Sequence, residues 1–159
     1  MKIISISYNE LLLYDEDADS EIGKIKSSMW TGKAEIFTQE AHYLIKSTGF
    51  WGVNKSLFHK EQALFSLKMG WSGNYEIRSL QEETSDFFTV KTKGFDYKHF
   101  YLLDKQENQL LKITMDFKMW SEADYELEFD EKIHSFADDN LLIYMTLSCV
   151  KNIYRKSVV

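Results

Sequence analysis

Leu141-Leu142-Ile143-Tyr144-Met145-Thr146-Leu147-Ser148-Cys149-Val150 is the stretch on which the fold turns. Wound at 3.6 residues per turn it is apolar on nearly every side, and a helix without a polar face has to be enclosed. The run is too short to cross a bilayer, which takes about 20 predominantly apolar residues. Asp138 and Asp139 precede it, and Lys151, Arg155 and Lys156 follow it. The sequence therefore predicts a helix over about 136–156 that the rest of the chain wraps. Its end signals agree with one another. Ser135 with Asp138 three positions on forms a capping-box-like start, acids sit at the positive N-terminal end, and bases sit at the negative C-terminal end. The chain has no proline, so nothing in it calls for a kink.

The wrapping has to come from residues 3–129, which read as short alternating strands broken by Gly, Asn, Asp and Ser. Ile3 to Tyr14 holds one or two strands. Further strands are predicted over 22–28, 33–38, 41–48, 55–58, 63–68, 72–79, 87–93, 100–104, 110–119 and 124–129. Turns fall at Thr48-Gly49, Ser72-Gly73-Asn74 and Lys93-Gly94, where positive φ is cheap, and at the polar tip Asp104-Lys105-Gln106-Glu107-Asn108. Asp124-Tyr125-Glu126-Leu127-Glu128-Phe129-Asp130 is the clearest strand, with acids on one face and apolar residues on the other. Many short strands and one enclosed helix have a simple physical solution. The sheet curls into a closed antiparallel β-barrel of about twelve strands, which removes its edges, and the C-terminal helix fills the interior. The expected class is mainly β, in one domain over residues 1–159. An interior left open for a ligand would instead call for an amphipathic helix lying outside.

Composition supports one ordinary domain, long enough to bury roughly 70% of its unfolded surface. Hydrophobic residues at 44% and aromatics at 15% exclude intrinsic disorder. A net charge of −6 makes the molecule repel polyanions, so no nucleic-acid partner is expected. The single cysteine, Cys149, lies inside the buried run and reads as a small core hydrophobe. Met1 to Ile6 is too short an apolar run for a signal peptide, which makes cytoplasmic localisation the expectation.

No hydrolase, nucleotide-binding or zinc motif is present, and His42, His59, His99 and His134 are scattered singly. No enzymatic activity, metal or cofactor is expected. The acids from Asp15 to Glu21 begin like a calcium loop, but Ser20 stands where an EF-hand has Gly and Lys26 where it has Glu. They read as a solvated loop. Two surface features could bind. Lys91 and Lys93 share a strand face by the two-residue period, with Lys98 and His99 close behind, and paired ammoniums suit a phosphate or lipid headgroup. Lys24 and Lys26 form a similar pair. Gly49-Phe50-Trp51-Gly52 is a turn able to present two rings to a membrane interface, although Trp30, Trp51, Trp71 and Trp120 also suit core or rim packing.

The order of these segments resembles the tubby C-terminal-like superfamily, which includes tubby domains, phospholipid scramblases and LURP-one-related proteins. The residues that carry the likeness are Ala34-Glu35-Ile36-Phe37 through Tyr43-Leu44-Ile45-Lys46, and the pair Phe100 to Asp104 with Leu110 to Ile113. Asp138-Asp139-Asn140 leading into Leu141 to Val150 completes it. The resemblance implies a twelve-stranded barrel threaded by a hydrophobic helix, and for tubby domains phosphoinositide binding through a basic surface. The small soluble LURP-one-like subgroup fits best. The functional expectation is a non-enzymatic domain that docks to anionic lipid headgroups through Lys91, Lys93 and Lys98, with Phe50 and Trp51 at the interface. The alternatives are a protein–protein interaction module and a lipocalin-like carrier of a small apolar ligand.

Overall fold

The computed structural model of the chain describes residues 2–7, 9–15, 19–28, 33–48, 54–70, 74–81, 86–93, 97–117, 123–136 and 139–157. Twelve antiparallel strands make one sheet: β1 (Lys2–Ser7), β2 (Glu10–Asp15), β3 (Ser20–Ser27), β4 (Ala34–Thr38), β5 (His42–Thr48) and β6 (Asn54–His59), followed by β7 (Gln62–Met69), β8 (Tyr75–Ser79), β9 (Phe87–Lys93), β10 (His99–Leu103), β11 (Gln109–Phe117) and β12 (Ala123–Phe129). Every strand is hydrogen-bonded to its neighbour in sequence, and β12 lies back beside β1 through Lys2↔Glu126 and Ile3↔Tyr125. A 3-10 helix (Glu131–Ser135) leads to α1 (Asp139–Ser157).

Alternation does the sorting. In β12 the buried residues are Ala123, Tyr125 and Leu127, while Glu126 and Glu128 are exposed. The same two-residue period buries Leu11 and Leu13 of β2, Ile25 of β3, Ile36 of β4, Ile45 of β5 and Leu57 of β6. Each of these residues is no more than 2% exposed. With their counterparts on β7 to β11 they form one core, and α1 belongs to it. Leu141 to Val150 are buried without exception, so the all-round apolar run is enclosed. Thr146 and Ser148 are the buried hydroxyl residues of serine and threonine type in that run. Thr146 returns its hydroxyl to the Leu142 carbonyl at 2.8 Å, which satisfies it within the helix. Cys149 is buried as well.

The helix starts later than the sequence predicts. Ser135 is not its cap: it ends the 3-10 turn, and its hydroxyl donates to the Lys132 carbonyl at 2.7 Å. Asp130 caps that turn by accepting from the Lys132 amide, and Phe136 sits edge-on to Phe88 at 5.0 Å. The competing local bonds of Asp130, the burial of Ile133 and the packing of Phe136 against the core divert residues 131–136 from the helix. Asp138 lies outside the described residues, whereas Asp139 accepts from the Asn140 amide at 2.7 Å in the first turn of α1. The hairpin tip after β10 is as expected. Asp104 accepts from the amides of Gln106 and Asn108 at 2.9 and 2.8 Å, and Glu107 takes a φ of 63°. The turn positions Gly49, Ser72, Gly73 and Gly94 lie outside the described residues.

Candidate functional site

Lys91 and Lys93 do share the outward side of β9, as the period predicts, because Phe88 and Val90 take the inward one. Their surroundings are only partly basic. Lys91 donates to Glu107 at 2.7 Å, and that hydrogen bond, followed by the charge of Lys91, holds the Glu107 carboxyl below its usual range. Lys93 is exposed, with its ammonium 5.7 Å from the centre of the Tyr101 ring. Lys98 follows shortly after β9, and its carbonyl accepts from Met115 at 2.8 Å. Farther along the same outer surface Lys112 pairs with Glu128, whose hydrogen bond raises the Lys112 pKa. Lys24 and Lys26 both face Glu10, at 3.6 and 3.9 Å. Sequence spacing found the lysines, but their carboxylate partners come from other strands or, for Lys91, from the tip between β10 and β11, and were not legible in it.

Phe50 and Trp51, and the other tryptophans, Trp30, Trp71 and Trp120, lie outside the described residues. Two of the scattered histidines meet carboxylates: His42 lies 3.5 Å from Glu35 and stacks on Phe37, and His134 Nδ1 lies 2.7 Å from Asp139. Among the described residues no group of three or more His, Cys, Asp and Glu side chains is arranged to hold a metal. No helix among them is long and apolar enough to cross a membrane.

A hollow of about 480 Å³ lies where β3 begins, β4 turns into β5, and α1 starts. Nothing in the sequence pointed to it, since its walls come from three separate stretches of chain. Thr38 builds one wall by accepting from the amides of Glu40 and Ala41 at 3.3 and 3.0 Å, which holds the β4–β5 turn open at the rim. Gln39 ties that turn to β3 through the Glu21 carbonyl at 3.3 Å. Tyr144, one turn into α1, lines the hollow from within the core and is 1% exposed. Burial, with a smaller contribution from Tyr43, pushes its phenol up to about 12, so it stays neutral. Gly23 makes room for it: a Cβ there would come within 2.3 Å of the Tyr144 hydroxyl oxygen and 2.8 Å of the Phe37 carbonyl oxygen.

These elements define a class: an antiparallel β sheet whose apolar face is packed on a buried C-terminal helix, with charges on its outward face and a polar hollow at the start of that helix. Comparison of the chain with protein-family models, with curated proteins and with solved structures gives no match.

Proposed function

We propose that the chain is a non-enzymatic, tubby-like binding domain: a closed barrel threaded by α1, which docks to anionic lipid headgroups through Lys91, Lys93 and Lys98. The observation that carries this reading is the position of Lys93, exposed beside Lys91 on the outward side of β9 and held over the Tyr101 ring rather than by a carboxylate. An arriving phosphate would also compete with Glu107 for Lys91. A surface ion pair of that kind is worth only about 0–1 kcal/mol, so exchanging it costs little. The net charge of −6 opposes approach from a distance, and binding would therefore be short-ranged and salt-sensitive. The surface implied is the anionic cytoplasmic leaflet.

Co-sedimentation with phosphatidylserine vesicles at low ionic strength tests the proposal. Wild type should pellet with the vesicles, and Lys91→Glu with Lys93→Glu should abolish pelleting, since each lysine near such a surface contributes about 1 kcal/mol. Wild-type protein that stays in the supernatant at low salt would sink the lipid reading. The apolar side chains exposed at Leu80 (50%) and Phe87 (37%) favour a second reading, a protein partner. A partner retained after lipid removal, and released by Phe87→Ser, would favour it. A carrier would need the interior that α1 side chains occupy, and so has no support from the packing.

A further inference from the structure

We infer that the hollow at the start of α1 is a binding site for a small organic amine, whose ammonium donates to the Tyr144 hydroxyl oxygen and is balanced by Glu21 and Glu40. This goes beyond headgroup docking, and uses different residues. Three observations point to it. The Tyr144 hydroxyl belongs to a side chain that is 1% exposed and lines the hollow, yet among the described residues it has no hydrogen-bond partner. The oxygen is not fully enclosed, so a molecule in the hollow can reach it and donate to it. Among the described residues no Lys or Arg lines the hollow, and no described cation pairs with the carboxylates of Glu21 and Glu40.

Charge decides the class of ligand. The N-terminus of α1 contributes roughly half a positive charge, and Asp139 already offsets it by accepting from the Asn140 amide. Asp139 also meets His134 at 2.7 Å, which engages its second oxygen. Glu21 and Glu40 are left as uncompensated negative charge, which repels phosphates and carboxylates and attracts an ammonium. An ammonium brings three donors and no acceptor, matching a neutral phenol oxygen and two carboxylates. Tyr43 and Tyr144 add aromatic walls of the kind that favour organic cations over hydrated metal ions. The volume of about 480 Å³ is that of a small-ligand pocket.

The test is titration of the full chain with putrescine, followed by amide chemical shifts and calorimetry, with 1,4-butanediol and succinate as neutral and anionic counterparts of similar length. Saturable shifts confined to residues 20–22, 38–41 and 139–141 are expected with putrescine alone. Tyr144→Phe should weaken binding about three- to tenfold, the value of one hydrogen bond. Glu21→Gln with Glu40→Gln, at exposed positions that leave folding intact, should weaken it about tenfold or more. The inference is overturned by no saturable response, by equal binding of the diol, or by shifts spread over other acidic faces such as Glu126 and Glu128. It is also overturned if folded Tyr144→Phe binds as wild type does; should that variant not fold, the glutamine pair and the diol decide.

Discussion

Gly23 and Tyr144 show how much one missing side chain can arrange. Gly23 sits mid-strand in β3, where glycine is ordinarily unfavourable, and its reason is 144 residues into the chain rather than beside it. Gly23→Ala would set a methyl within 2.3 Å of the Tyr144 hydroxyl oxygen and 2.8 Å of the Phe37 carbonyl oxygen. The expected loss is about 1–3 kcal/mol by urea unfolding, as for other overpacked sites. Tyr144→Phe removes the nearer contact and leaves the backbone one, so the double variant should recover part of that loss. Additive losses would show that the two residues do not press on each other. The same phenol gives a pH signature. Its folded pKa of about 12 lies above the ordinary 10, so the fold favours the neutral form. That contribution is complete below pH 10 and is lost as pH rises toward 12, at up to about 1.4 kcal/mol per pH unit. Unfolding midpoints of wild type should therefore fall more steeply over that range than those of Tyr144→Phe. Neither relation could be read from sequence, where Gly23 is one of several glycines and Tyr144 one of several aromatic residues in an apolar run.

Among the elements, α1 was the most legible and its first turn the least. The run Leu141 to Val150 identifies an enclosed helix because no face of it could meet water, a property of composition that needs no partner to be known. Where the helix begins depends instead on competition. Ile133 is buried and Phe136 partly buried against the core, and that tertiary packing overrides the capping pattern at Ser135. The strands were legible for the same reason as the helix core, since alternation names their inner faces. The outer faces were legible only in part: spacing placed Lys91 and Lys93 together, but Glu107 reaches Lys91 from the β10–β11 tip. A direct consequence at this scale concerns Leu147, which is fully buried near the middle of α1. Leu147→Ala should cost about 2–5 kcal/mol through lost burial and the cavity left behind. Leu147→Asp adds an unpaired charge at an enclosed position and should leave the domain unfolded by circular dichroism. A folded, soluble Leu147→Asp protein would mean that the helix can leave its place without loss of the sheet.

At the scale of the whole molecule the pairing of strands is uneven, and among the described residues the join with the fewest registered pairs is the one between β1 and β12. Among the described residues β11 and β12 register through seven residue pairs from Leu111↔Phe129 to Phe117↔Ala123, whereas β1 meets β12 through two, Lys2↔Glu126 and Ile3↔Tyr125. The short seam has a cause in order of pairing. β1 is joined to β2 by a connection of two residues, which makes it a local hairpin, but its contact with β12 joins residues as far apart in sequence as Lys2 and Glu126. Local opening takes place where the fewest backbone bonds and buried contacts have to be broken. The amides of β1 and those of Tyr125 and Glu126 that face it should therefore exchange with solvent sooner than the amides along β11 and the β11-facing side of β12. Mass-spectrometric or NMR-detected hydrogen exchange at neutral pH measures this directly. Because α1 shares one core with side chains from β2 to β12, opening of the seam should not release it, and the amides of Leu141 to Val150 should exchange only with global unfolding. If instead β1 and α1 exchanged together and early, the helix would depend on the seam. The sheet would then be a wrap that opens at β1, rather than an enclosure that holds its helix while one join breathes.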